Sequence, residues 1–366
     1  MTVYTWLVIL LVAAALLLNG NKKGSKKFII VAFLLLYAVM GLRDVYAFGS
    51  DASGSAGSYP VIYKSLGSTD WGSIVTEGEV IYNIAFSFLL KLIYQLTRGD
   101  YQIMVSIISL FVMVSYMRFI WKYSPSPIFS ILCFLGLLYY TFLFDALKQA
   151  IAMAILLFAF DAIVEKKPII FILLTILASA FHFPALVFLP AYWIGRMTLG
   201  RGYIVLLTVL LLITYVFRDR ILNLMLDVYA GDDITASMEG IRFLRNKVII
   251  MIAFTVFAVF IRPPATGNTV YNALLMFLGI AIIFQTFCGY NNIFERLADY
   301  YFHTSIVLIP LILQKGGKIR TRIEMARNTQ LLNYVTLLIC AFAIWRFLSY
   351  VNNAWSFNPY RFVWQH

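Results

Sequence analysis

The sequence predicts an all-α polytopic membrane protein, with about 12 transmembrane helices and one or more partial or re-entrant helices. Three observations predict it. The chain has 366 residues, of which 62% are hydrophobic and only 13% charged. That is more apolar surface than a single water-soluble core can bury. Apolar runs close to the ~20 residues that carry a self-satisfied helix across lipid fill most of the chain. Between the runs, Lys and Arg fall in short clusters, the pattern of cytoplasmic loops.

The runs lie at 2–18, 27–42, 79–97, 101–120, 127–144, 149–164, 169–195, 203–217, 247–261, 270–287, 299–313 and 331–350. A single transmembrane domain over 1–366 is expected, with outer loops at 43–78 and 218–246. The first run lacks a basic leader and a small-residue cleavage pattern, and Lys22, Lys23, Lys26 and Lys27 follow it. It therefore reads as a retained helix rather than a removed signal. The net charge of +12 is explained by these clusters, and no nucleic-acid partner is expected. Cys133, Cys288 and Cys340 sit in or beside apolar runs without ligand-like spacing, which points to packing rather than disulfides or metal.

Orientation follows the basic clusters. Lys22 to Lys27, Arg118 with Lys122, Lys166 with Lys167, Arg196 with Arg201, and Lys315 to Arg327 are placed in the cytoplasm. The number of crossings between Lys167 and Lys315 must then be even, which requires 169–195 to break near His182, Phe183 and Pro184. Between Lys27 and Arg118 the count is odd unless 79–97, which carries Glu79, Asn83 and Lys91, is not a full crossing. The outer surface then receives 43–78, the turn at Asp145 to Gln149, His182, 218–246, 288–298 and 351–366. Chemistry is expected on that side, where the long polar loops lie. No Walker or dinucleotide glycine pattern is present, so ATP or NAD use is unsupported and no cofactor is expected.

Four constellations could carry chemistry. Arg43 and Asp44, followed by Gly49, Ser50, Asp51, Tyr59 and Tyr63, could bind phosphate and sugar hydroxyls. Helix-end snorkelling before a solvated Gly/Ser loop is the alternative. Asp145, Lys148 and Gln149 are charged or polar groups wedged between apolar runs, either a functional cluster or an i, i+3 ion pair. His182, at the expected break, is read as a site residue over a core histidine, whereas His303 inside an apolar run reads as core. Three scattered histidines make no metal site. Arg242 and Arg245, three apart, put two guanidinium groups on one helical face, which suits a diphosphate. Their alternative is a loop salt-bridged to Asp232, Asp233 and Glu239. Arg296, Tyr300 and Arg361 could add cations and a sugar-stacking ring, against the alternative of an interfacial aromatic girdle.

Taken together, Gly41 to Arg43, Gly49 to Asp51, Glu79 to Tyr82, Lys122 to Ser124, Leu147 to Ala152, Ala180 to Leu186, Glu295 with Arg296, and Pro359 to Phe362 resemble the EpsG family of Wzy-like polysaccharide polymerases. The resemblance spans nearly the whole chain. It departs at Lys148, where the family usually has Arg, and at Ser55, where the family has Tyr; Tyr59 could take that role. It implies a GT-C-like, metal-independent glycosyltransferase in a bacterial inner or plasma membrane. Its substrate would be an undecaprenyl-diphosphate-linked oligosaccharide, with membrane lipid and a chain-length regulator as partners. The growing glycan would pass to the non-reducing end of another lipid-linked repeat unit on the outer face. In that reading His182, Asp51 and Arg245 are catalytic, and Arg43, Lys148, Gln149, Arg242, Arg296, Tyr300 and Arg361 bind substrate. The rival readings are another lipid-carrier glycosyltransferase or ligase, a flippase for lipid-linked oligosaccharide, which would need inverted repeats, and a membrane acyltransferase built on His182.

Overall fold

A computed structural model of the chain describes residues 2–18, 22–46, 59–76, 83–197, 202–221, 246–261, 269–288, 293–313 and 329–365. Among them the regular structure is helical, and the extended pairing is an isolated bridge between Arg43 and Phe362. The chain divides into two compact units. One comprises Met1–Phe158, Leu173–Phe183 and Gln330–His366, the other Ala159–Ile172 and Pro184–Thr329.

In the first unit, α1 (Val3–Leu18) packs on α2 (Lys22–Gly41). Next come α3 (Tyr59–Ser68), α4 (Ser73–Thr76), α5 (Ile84–Thr97), α6 (Tyr101–Tyr123), α7 (Pro127–Gly136) and α8 (Tyr139–Asp145). Helix α2 lies against α6 and α7, and α3 and α4 lie against α5. Arg98 and Gly99, both at positive φ (55° and 82°), reverse the chain after α5. Asp100 then starts α6, its carboxylate accepting from the Ile103 amide at 3.0 Å, which satisfies one orphan donor of the first turn. Helices α7 and α8 meet at a 56° bend. The bend falls at Leu138, whose φ of 66° costs a β-carbon-bearing residue about 1–2 kcal/mol. Helix α17 (Thr329–Asn353) crosses α7 where a β-carbon on Gly136 would lie 2.4 Å from the Ala343 methyl carbon. The Arg346 guanidinium donates to the Gly136 carbonyl at 2.8 Å. Close backbone approach through small residues is how helices associate in lipid.

Helices α9 (Leu147–Val164) and α10 (Pro168–Phe181) each contribute residues to both units. The second unit adds a 3₁₀ turn (Phe183–Phe188), α11 (Ala191–Ile194), α12 (Tyr203–Val216), α13 (Asn246–Ile261), α14 (Thr269–Gln285), α15 (Ile293–Phe302) and α16 (Ser305–Leu313). Helix α14 is its hub and touches α11, α12, α13, α15 and α16. Tyr203 donates to the Leu275 carbonyl at 2.7 Å, and the rings of Phe188, Phe277 and Tyr301 meet within 5.5 Å of one another.

Four helical stretches among the described residues are long and apolar enough to cross a membrane: Gly24–Gly41, Tyr101–Tyr123, Leu147–Val164 and Asn333–Asn353. The bent α7–α8 pair makes a fifth if counted as one span. Several expected runs are shorter or interrupted. Of the expected run 79–97, residues 79–82 lie outside the described residues, and Ile84–Thr97 form the 14-residue α5, roughly 21 Å long. Helix α10 ends at Phe181, where the parity argument requires a break. The run 299–313 is interrupted between Phe302 and Ser305. Within the expected outer loop 43–78, the structure places α3 and α4.

Candidate functional site

The geometry that stands out in the first unit is built on the C-terminus of α2. The last carbonyls of a helix have no partner within it. Here the Ala38 carbonyl accepts from the Leu42 amide at 3.2 Å, the Val39 carbonyl from the Tyr360 hydroxyl at 2.9 Å and the Met40 carbonyl from Arg43 Nη1 at 2.5 Å. The Gly41 carbonyl accepts from Gln102 Nε2 at 3.0 Å and Ser106 Oγ at 2.6 Å. A cation at this end also complements the helix dipole.

Arg43 does not snorkel to the interface; it is 5% exposed. Its Nη2 donates to the Phe144 carbonyl at 2.7 Å, and its guanidinium carbon stands 4.6 Å from the Phe144 ring centroid. Its Nε is buried without a hydrogen-bond partner. Burial pushes the guanidinium below its ordinary pKa, opposed first by the Asp145 carboxylate and then by Tyr101, Tyr4 and Tyr360. The Tyr4 hydroxyl is also buried without a partner, and the Tyr4 ring meets that of Tyr360 at 5.5 Å. Tyr140 donates to the Leu36 carbonyl at 2.8 Å. The segment around Tyr360 is tied to the Arg43 backbone on both sides. The Asp44 amide donates to the Arg361 carbonyl at 2.9 Å, and the Val363 amide donates to the Leu42 carbonyl at 3.0 Å.

Asp145 closes α8 and Lys148 is the second residue of α9, with the junction at Ala146 at φ −88° and ψ 60°. The Lys148 amide donates to the Tyr59 hydroxyl at 3.5 Å, and its ammonium lies 5.9 Å from the Phe86 ring centroid. Tyr59 and Phe86 in turn meet edge to face at 5.8 Å. Gln149 is buried beside them in sequence, at 2% exposure. His182 is half-buried just past α10, its amide donating to the Ala178 carbonyl at 3.0 Å.

The structure therefore brings Arg43, the charge of Asp145 and the backbone of Arg361 together. The Arg361 side chain is exposed. Arg296 and Tyr300 belong to the second unit, Arg296 exposed on α15 and Tyr300 fully buried. Asp51, Arg242 and Arg245 lie outside the described residues, as do Glu79 and Ser55. Among the described residues no three His, Cys, Asp or Glu side chains converge as a metal-ligand set.

A family model matches this chain over residues 26–362, and its description is the EpsG family. The chain belongs to the EpsG family. EpsG membership implies a Wzy-like polymerase role in polysaccharide biosynthesis, with a lipid-linked polysaccharide substrate, in a membrane. No curated protein and no solved structure matches the chain. The matched region takes in both partners of the Arg43–Phe362 bridge. Sequence reading found these two EpsG-like motifs but not that they pair, and it missed Tyr4 and Tyr140 altogether. A tyrosine inside an apolar run carries no signal of which cation it will neighbour.

Proposed function

We propose that this EpsG-family chain is a polysaccharide polymerase acting on undecaprenyl-diphosphate-linked repeat units at the extracytoplasmic face of a bacterial inner or plasma membrane. The observation that carries the reading is the family match over residues 26–362. A buried, oriented guanidinium at Arg43 with an unpartnered Nε agrees with it. The fold is read as multi-pass and GT-C-like, with about 12 crossings, some of them partial.

In the reaction, the bond between the donor's anomeric carbon and its diphosphate oxygen breaks, and the diphosphate leaves with the carrier lipid. A bond forms from that carbon to an acceptor hydroxyl at the non-reducing end of the second repeat unit, whose proton passes to a base. The leaving group is already good, so the protein stabilises departing negative charge and activates the hydroxyl, and no metal is required by that chemistry. Arg242, Arg245 and Lys148 are assigned to the diphosphates, with Arg43, Gln149, Arg296, Tyr300 and Arg361 as further substrate contacts. His182 or Asp51 orients or deprotonates the hydroxyl.

The test is incubation of the purified full chain with one synthetic lipid-linked repeat unit. A ladder of products is expected. A single larger product would instead mark a one-step transferase or ligase. Movement of the lipid across vesicles without new linkages would mark a flippase. Arg245→Ala is expected to shorten or abolish polymer, and an unchanged length distribution would remove it from the clamp.

A further inference from the structure

We infer that residues 359–363 form a strap that positions Arg43, with Tyr360 as the positioning residue. The inference rests on reading Arg43 as a cation that works on the substrate's diphosphate. Three hydrogen bonds join the strap to the backbone on either side of the cation. The Asp44 amide to Arg361 carbonyl and Val363 amide to Leu42 carbonyl bonds, at 2.9 and 3.0 Å, bracket residue 43. The Tyr360 hydroxyl bonds the Val39 carbonyl at 2.9 Å, next to the Met40 carbonyl that holds Arg43 Nη1. The Tyr360 ring packs edge-on against Tyr4 at 5.5 Å and Phe362 at 4.9 Å. Phe362 is itself fixed, its amide donating to Gln365 Oε1 at 2.8 Å and its ring stacking on Trp364 at 4.6 Å.

A buried donor left unmatched is destabilising. The strap closes over two: Arg43 Nε and the Tyr4 hydroxyl both lack a partner. What Arg43 Nε lacks is an acceptor oxygen, and diphosphate oxygens are acceptors only. With Nη1 and Nη2 committed to the Met40 and Phe144 carbonyls, the direction of the ε N–H is set by the backbone at 42–44. That backbone is held in place by the strap. Tyr360 thus acts through Arg43 and need not touch substrate.

The experiment uses the full chain in lipid vesicles with the synthetic lipid-linked repeat unit, comparing wild type, Tyr360→Phe, Arg43→Lys and the double variant. Removing a ~1 kcal/mol hydroxyl bond, Tyr360→Phe is expected to lower turnover about fivefold with KM unchanged. On the Arg43→Lys background, where the fork is already lost, it is expected to add nothing. Hydrogen exchange gives a readout independent of activity: the Asp44 and Val363 amides should be slow in wild type and fast in Tyr360→Ala. Full turnover by Tyr360→Phe, losses that multiply in the double variant, or fast exchange of those amides in wild type would each overturn the strap. Full polymerisation by both Arg43→Lys and Arg43→Ala would instead remove Arg43 from the reaction and the strap's purpose with it. Multiplying losses alongside a crippled Arg43→Lys sink only the strap.

Discussion

Arg43 and Phe144 hold each other twice: the guanidinium donates to the Phe144 carbonyl at 2.7 Å and lies 4.6 Å from the centroid of the Phe144 ring. One contact fixes the in-plane direction of the cation, the other its face, so a buried charge has a single orientation. A lysine reproduces neither the fork nor the flat stacking surface.

Arg43→Lys should therefore lower stability by about 2 kcal/mol, the scale of a lost charged hydrogen bond plus stacking. Thermal unfolding in detergent would show a lower midpoint, and an unchanged midpoint would mean that the two contacts contribute little.

Lys91 is 3% exposed on α5, donating to the Leu66 carbonyl at 3.3 Å and to the Thr69 carbonyl, with its ammonium 5.2 Å from the Trp71 ring centroid. It caps α3 from across the hairpin. Lys91→Met should loosen residues 59–76 by about 2 kcal/mol while leaving the rest of the chain folded. Limited proteolysis should then cut preferentially in that stretch.

Gly136→Val should separate α7 from α17, because its first side-chain carbon would fall 2.4 Å from the Ala343 methyl carbon and 2.6 Å from its α-carbon. The loss should exceed the 1–3 kcal/mol typical of overpacking, since backbone has to move. Ala343→Gly in the same chain should recover part of the unfolding midpoint, and no recovery would place the strain elsewhere.

Burial holds the Tyr360 hydroxyl above the usual tyrosine pKa, with Arg43 pulling the other way. A folded-state value above the unfolded one means that stability is full below the unfolded value, about 10, and falls as pH rises through and beyond it. The pH-stability curve of Tyr360→Phe should therefore decline less steeply than wild type above that value. Parallel curves would show that Tyr360 titrates as freely folded as unfolded.

The Lys148 ammonium lies 5.9 Å from the Phe86 ring centroid. Lys148→Met should cut polymer formation at least tenfold if the charge faces a diphosphate, while Lys148→Arg should retain it. Equal activity of all three chains would strip Lys148 of that assignment.

Much of the helical framework was legible because periodic apolar runs and basic clusters are strong, local signals. The break after Phe181 followed from charge parity alone. What was not legible is non-local. Arg43 reads from the sequence as a phosphate-binding candidate with snorkelling as the alternative, and the sequence does not reveal that Phe144 and Tyr360 will close around it. The turn between α8 and α9, where Ala146 takes a non-helical conformation, leaves no mark in composition. The short helices α3 and α4 were hidden by the Gly/Ser character of the stretch before them.

The bridge between Arg43 and Phe362 also has a bearing on biogenesis. A ribosome makes Arg43 early and Phe362 late, so a nascent chain already threaded into the bilayer carries a guanidinium whose covering does not yet exist. Until that covering arrives, the cation can be met by headgroups, by insertion factors or by a protease. A product clipped or stalled before Pro359 would keep that exposed charge for good, a mark by which surveillance could tell defective copies from finished ones.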